Sequence, residues 1–214
     1  IHTMLIVQSF ACGPVLANTY IFKDSTNNHA YLIDPSEMTA PLRAALADCH
    51  IRMIFLTHAH YDHMLAIDEA RDLTGAPLAM SAEDAPALAD PALNLTARFD
   101  VPRTFRPADR ILHHGDLISD GNFKIKIMAT PGHTPGSLCY LSSNRILFSG
   151  DTLFYESVGR TDLPGGDVES LKDSIRTLMG LSSDWKVYPG HGDSTTIAHE
   201  RLHNFFYPQC LPID

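Results

Sequence analysis

Met53-Ile54-Phe55-Leu56-Thr57-His58-Ala59-His60-Tyr61-Asp62-His63 is the stretch from which the rest of the chain can be read. A short apolar run bounded by polar residues reads as a buried strand. Residues two apart at a strand end point the same way, so His58 and His60 are aimed together. Imidazole nitrogens and carboxylate oxygens are the usual ligands of zinc, iron and manganese. Three more such side chains each follow a glycine: His133 in Thr130-Pro131-Gly132-His133-Thr134-Pro135-Gly136, Asp151 in Ser149-Gly150-Asp151-Thr152, and His191 in Tyr188-Pro189-Gly190-His191-Gly192. Together with Asp62 and His63 they give five histidines and two aspartates. That is too many for one tetrahedral ion. It suits two ions sharing a bridging carboxylate, a layout used for hydrolysis.

Working outward, the N-terminal third reads as strands at Met4–Phe10, Asn18–Lys23 and Ala30–Ile33, separated by turn chemistry at Gly13-Pro14 and from Asp24 to His29. A helix is predicted from near Thr39, with Pro41 in its first turn, and another from about His63 to Leu73, stopping before Gly75. Asp62 would then lie at a helix N-terminus, whose dipole favours an ionised carboxylate. Ala76–Met80 reads as a strand, and Ser81-Ala82-Glu83-Asp84 as a capped helix start. Residues 86–110, rich in Pro, Asp and Arg, read as an irregular excursion. It is either a substrate-binding lid carrying Arg98, Arg103 and Arg106 or a solvated connection. Strands follow at Phe123–Ala129, Ser137–Leu141 and Arg145–Phe148, then a helix at Val168–Met179 between Asp167 and Gly180, a strand at Lys186–Tyr188 and a last helix at about Thr195–Phe206. Two β-rich halves, each with helices, point to an α+β fold in which two sheets pack face to face with helices outside, a four-layer αββα sandwich.

The bulk numbers bound the function. The 214 residues suffice for a single domain, 1–214, with a sizeable core. A formal charge of −9 argues against nucleic acid as a partner, because neutralising phosphates needs clustered Lys and Arg. No apolar run reaches the roughly 20 residues of a membrane span, and Met4-Leu5-Ile6-Val7 is too short for a signal-peptide core. The four cysteines, Cys12, Cys49, Cys139 and Cys210, lack paired spacing and read as free thiols in a reducing compartment, so a cytoplasmic location is expected. The pair His113-His114 reads as a solvated strand end. Asp34, Tyr20, Thr57 and Ser137 are candidates to orient metal-bound histidines from behind.

The four ligand motifs resemble those of the metallo-β-lactamase superfamily, over nearly the whole chain. The resemblance implies the αββα fold. It also implies that His58, His60 and His133 hold one divalent ion, that Asp62, His63 and His191 hold a second, and that Asp151 bridges them. Zinc is the expected metal, with iron or manganese as alternatives. The segment Gly159-Arg160-Thr161-Asp162 resembles that of glyoxalase II-type thioesterases, which makes Arg160 a candidate substrate contact; an ion pair with Asp162 is the competing reading. Roughly twenty residues follow His191, fewer than the helical extension with which glyoxalase II supplements glutathione binding. The implied branch is therefore the short, single-domain glyoxalase II-like hydrolases.

The expected chemistry is hydrolysis of a small-molecule thioester or ester by a hydroxide bridging two metals, with Asp62 as the catalytic residue that orients it. An aspartate at position 151, where zinc β-lactamases often carry a cysteine, argues against antibiotic hydrolysis as the main role. Persulfide dioxygenases, which use one iron on two histidines and an aspartate (here His58, His133 and Asp151), are the alternative, and lactonases a further one.

Overall fold

The computed structural model describes residues 4–213. Its first sheet runs β1 (Leu5–Cys12), β2 (Ala17–Asp24), β3 (His29–Ile33), β4 (His50–Phe55), β5 (Leu78–Ser81) and β6 (Arg110–Leu112), in that spatial order. The β1–β2 and β2–β3 pairs are antiparallel, and from β3 onward the pairs are parallel. The parallel crossovers carry α1 (Ala40–Ala47) and α2 (Ile67–Thr74). The second sheet has β7 (Leu117–Asp120), β8 (Phe123–Ala129), β9 (Leu138–Ser142), β10 (Ile146–Gly150), β13 (Lys186–Pro189) and β14 (Thr195–Thr196), adjacent in that order. A small hairpin, β11 (Leu153–Phe154) and β12 (Ser157–Val158), stands apart. A four-residue α3 (Thr96–Phe99) precedes the second sheet, and α4 (Val168–Met179) and α5 (Ile197–His203) complete the helices.

Strand alternation builds the layers. On β2, Tyr20 and Phe22 face the other sheet while Ile21 faces helices, and on β4 Phe55 faces inward while Ile54 faces out. Phe22, Tyr31 and Phe55 meet Phe123, Tyr140 and Phe148 between the sheets, with Phe55 stacked on Tyr140 at 4.5 Å between ring centroids. Leu42, Leu46 and Ile67 cover the outer face of the first sheet, and Leu171, Ile175, Leu178 and Met179 of α4 cover that of the second. Spacings of four, seven and eight along α4 form one apolar stripe, and each large side chain so buried contributes about 1.5–3 kcal/mol. The expected αββα sandwich is therefore the fold.

The limits of α1, α2 and α4 follow from capping. Thr39 accepts a bond from the Leu42 amide, Asp167 from the Ser170 amide, and Gly75 closes α2 at φ +69°. Three expectations need correction. No helix begins at His63: Tyr61–His63 is a single 3-10 turn, and α2 starts at Ile67. The last helix is shorter than Thr195–Phe206, because Thr195 pairs with β13 and Thr196 caps α5. Residues 86–110 are not irregular throughout: a 3-10 turn at Ala85–Ala89 and α3 punctuate them, and the irregular remainder is fixed in place. The buried Asn94 side chain donates to the carbonyls of Ala87 and Arg103 and accepts from Thr96, while Phe105 is buried. Arg103 bonds the Leu65 carbonyl and Arg106 pairs with Asp68 and Asp72, so these arginines fasten the segment to α2 and its lead-in. All four cysteines are free thiols, and among the described residues no helix is long and apolar enough to cross a membrane.

Candidate metal centre

The ligand-type side chains sit where strands end. His58, His60, Asp62 and His63 follow β4; His133 lies between β8 and β9; Asp151 follows β10; His191 follows β13. Backbone pairing draws these ends together: Leu138 N bonds Thr57 O, Gly190 N bonds Gly150 O, and Asn18 N on β2 bonds Gly190 O at 2.7 Å. Asn18 Nδ2 donates to the carbonyls of Pro189 and Gly192, and Tyr20 Oη to that of Pro189, so β2 fixes the turn presenting His191. Asp84 ties the first two motifs together, accepting from Ala59 N, Thr134 Oγ1 and Gly136 N. Two glycines leave room for the ligands: a Cβ at Gly190 would collide with Asp151 Oδ1 and come within 2.7 Å of His63 Cε1, and one at Gly159 would collide with the Asp151 carbonyl.

All seven predicted side chains converge. His58, His60 and His133 form one group of potential donors; Asp62, His63, Asp151 and His191 form another, with donor atoms within 4.8 Å of one another in each. His60 Nδ1 lies 3.0 Å from His133 Nε2, and His63 Nε2 lies 3.3 Å from His191 Nε2. Asp151 reaches both groups: Oδ2 is 3.4 Å from His133 Nε2 and 3.4 Å from His191 Nε2, and Oδ1 is 3.1 Å from His63 Nε2. Four ligands at 2.0–2.1 Å from a tetrahedral ion stand about 3.4 Å apart, so these separations are those of coordinating atoms.

Hydrogen bonds behind the ligands fix their tautomers. Thr57 Oγ1 donates to Asp34 Oδ2 at 2.7 Å and so accepts from His58 Nδ1 at 2.9 Å. His63 Nδ1 donates to Asp34 Oδ2 at 2.9 Å, and His133 Nδ1 to the Arg160 carbonyl at 2.7 Å. Each ring therefore turns an Nε2 lone pair toward the others. Lone pairs and carboxylates facing one another without protons need a cation. His58 Nε2 and Asp151 Oδ1 are buried and have no hydrogen-bond partner among the described residues. The donor set fits two divalent ions.

Protonation follows the same logic. Burial, then the neighbouring His63, hold His58 well below its ordinary value; burial and His133 bring His60 down to about 3. At His63 burial opposes charge, but Asp151 and Asp62 overcome it and raise the ring well above the usual range. His191 is pushed up to about 9, its bonds to Asp151 and Asp62 outweighing burial. Asp62 and Asp151 are lowered despite burial, chiefly by His63. The helix dipole expected to keep Asp62 ionised is replaced by these rings, since only a 3-10 turn is present. In the metal-free protein, protons on His63 and His191 balance the carboxylates as a cation would.

The centre floors a cleft of about 490 Å³. Val15, Tyr61, Leu95, Phe99, Phe154 and Leu163 line it beside the ligands, as does Arg160. The Arg160 guanidinium is forked onto Asp162 at 2.6 and 2.8 Å. The hairpin carrying Phe154 is held by α5: buried Glu200 accepts from Glu156 N, Thr195 Oγ1 and Asn204 Nδ2. Of the residues proposed to support the ligands, Asp34 and Thr57 contact them directly, Tyr20 acts through Pro189, and Ser137 bonds Thr134 instead. Asp84, Asn18 and the cleft's apolar wall were not foreseen. His113 and His114 are exposed, as expected, and belong to neither group of ligands.

The sequence matches the family model of the metallo-beta-lactamase superfamily over residues 12–191. It is 34% identical over 192 residues to hydroxyacylglutathione hydrolase GloC of Haemophilus influenzae, covering 87% of this chain and 90% of that one. The fold superposes on the crystal structure of BLEG-1 B3 metallo-beta-lactamase with a TM-score of 0.90 and 36% identity, over 94% of this chain and 99% of the other. It matches TTHA1623, solved in a di-iron-bound form, with a TM-score of 0.80 and 30% identity, over 96% and 100% of the two chains. Fold, ligand geometry and these likenesses agree: the chain belongs to the metallo-β-lactamase superfamily.

Proposed function

We propose that this chain is a two-metal hydrolase of glyoxalase II type that cleaves thioesters. The observation that carries the reading is the convergence of His58, His60 and His133 with Asp62, His63 and His191 around a shared Asp151 on the floor of a cleft. No serine, threonine or cysteine is among the described residues lining that cleft, which supports water as the nucleophile. Two bound divalent ions, zinc foremost and iron or manganese as alternatives, would supply an activated water and polarise the carbonyl oxygen. Asp62, ionised and facing the cleft, orients the attacking water besides acting as a ligand. Asp34, Thr57 and the Arg160 carbonyl hold the imidazoles in the ligating tautomer. Arg160 lines the cleft wall beside its partner Asp162, which supports its assignment as a residue next to the substrate.

Likeness to hydroxyacylglutathione hydrolase GloC supports a thioester substrate. Likeness to a B3 metallo-beta-lactamase favours one second reading, a β-lactam carbonyl at the same centre. The test is a panel of thioesters including S-lactoylglutathione, with a chromogenic cephalosporin alongside, on the native protein and on His60→Ala and Asp151→Ala. Loss of thioester cleavage in both variants is expected. Undiminished activity in either would remove this site as the catalyst, and one iron per chain with oxygen consumption would replace hydrolysis with dioxygenase chemistry.

A further inference from the structure

We propose that the apolar wall of the cleft binds the acyl chain of the substrate, so that this enzyme selects thioesters of extended aliphatic or aromatic acids and reads their acyl group more than their thiol. The inference rests on the thioesterase reading and adds the substrate class.

The wall is a built feature. Tyr61, Leu95 and Leu163 form an apolar cluster of their own, separate from the three cores that hold the layers together. Phe99 stacks against Tyr61 with ring centroids 5.7 Å apart and leaves 45% of its surface exposed at the mouth. Val15, across the cleft, is 49% exposed. Leu95 takes φ +70°, a left-handed conformation costly for a branched side chain. The neighbouring Asn94 holds it there, bonding Ala87 O, Arg103 O, Thr96 N and Thr96 Oγ1. These bonds hold Leu95 fixed against Tyr61 and Leu163, so the apolar wall is preformed.

Charge points the same way. Glutathione presents two carboxylates and an ammonium, and its recognition needs matching charges. Arg160 is the one Lys or Arg among the described residues lining the cleft, and it is committed to Asp162. Arg98 lies over the Phe99 ring at 5.0 Å and is also near Asp162. Against the two carboxylates of the tripeptide the mouth thus offers, among the described residues, one exposed cation held in no ion pair, Arg98, while seven apolar side chains line the cleft beside Asp62 and His133. A chain leading away from a carbonyl at the centre runs along Tyr61, Leu95 and Phe99.

Two measurements test this. The first compares kcat/KM on the metal-loaded enzyme for acetyl to octanoyl thioesters of N-acetylcysteamine, an uncharged thiol, and for the same acyl groups on glutathione. Burial of apolar surface predicts a rise of roughly two- to fourfold per methylene. The glutathione and N-acetylcysteamine series should lie within about threefold of each other, since the exposed Arg98 gives a charged thiol only a solvent-screened contact. Phe99→Ser should flatten the dependence on chain length, and Phe205→Ser, an exposed aromatic outside the cleft, should not. The second is calorimetry of uncharged S-alkyl-N-acetylcysteamine thioethers, ethyl to octyl, with metal-free and metal-loaded protein, in which affinity should rise with chain length in both forms. Rates independent of chain length, together with a strong preference for glutathione, would overturn the inference and leave the thioesterase reading standing. Cleavage of no thioester would remove that reading, and thioether affinities that do not grow with chain length would then remove the wall as well.

Discussion

Asp34→Asn isolates the carboxylate behind the metal ligands. Asp34 is buried, with φ +51°, a conformation asparagine accepts at least as well, so the substitution leaves the backbone unstrained. Oδ1 accepts from Thr57 N at 2.8 Å, and Oδ2 from Thr57 Oγ1 and His63 Nδ1 at 2.7 and 2.9 Å. An amide offers one acceptor. With its oxygen on Thr57 N, its NH2 group faces two donors. His63 must then shift its proton to Nε2, pointing it at Asp151 and His191, and Thr57 must turn, releasing His58 Nδ1. Loss of such a partner typically weakens metal binding 10- to 100-fold, about 1.4–2.8 kcal/mol. Competition with a fluorescent zinc chelator, starting from metal-free protein, measures it, and circular dichroism confirms that the fold persists. Zinc affinities within about twofold of the parent, with the fold intact, would show that Asp34 does not set the tautomer of His63.

Three further outcomes follow from the geometry. Gly190→Ala places a methyl group against Asp151 Oδ1 and His63 Cε1, and the displaced ligands should cut thioester turnover by about 100-fold or more; turnover within tenfold of the parent would contradict the crowding. Glu200→Ala strips the acceptor from Glu156 N, Thr195 Oγ1 and Asn204 Nδ2, costing about 3 kcal/mol and lowering Tm by roughly 6–12 °C; an unchanged melting curve would show that the hairpin is held by other contacts. In metal-free protein, stability should peak near pH 6.5. His191, raised to about 9 against burial by Asp151 and Asp62, contributes stability that is full below the unfolded value and lost as pH rises through about 9. His60, lowered to about 3 by burial and His133, favours the unfolded chain as pH falls below about 6.5. A Tm that climbs steadily from pH 6.5 to 9 would refute the assignment for His191.

The ligands were legible because each motif is local. His58 to His63 occupy six consecutive positions after an apolar strand, and His133, Asp151 and His191 each stand at a glycine turn closing a strand. The layers were legible because residues such as Ile21 and Phe22 alternate between two apolar faces and α4 carries one clean stripe. What stayed hidden depends on distant partners. Asp84 read only as part of a capped helix start, Ser81 to Asp84; its bonds run to Ala59 and to Thr134 and Gly136, 25 to 52 positions away, and no local pattern reports them. Residues 86–110 lack periodicity because, beyond the four-residue α3, they are ordered by Asn94 side-chain bonds to distant carbonyls and not by a long helix or strand. The expected helix does not start at His63 because Ala66 N is taken by the Pro35 carbonyl instead of that of Asp62, again a long-range contact. The ion pair expected between Arg160 and Asp162 was legible because the two stand only two positions apart.

The central claim is that one set of seven side chains cages two ions about a shared Asp151. Anomalous X-ray scattering from crystals of zinc-loaded protein, recorded on either side of the zinc edge, tests it directly. The account predicts two peaks per chain, one among His58, His60 and His133 and one among Asp62, His63 and His191, with Asp151 between them. A single peak, or zinc bound only elsewhere on the surface, would contradict it.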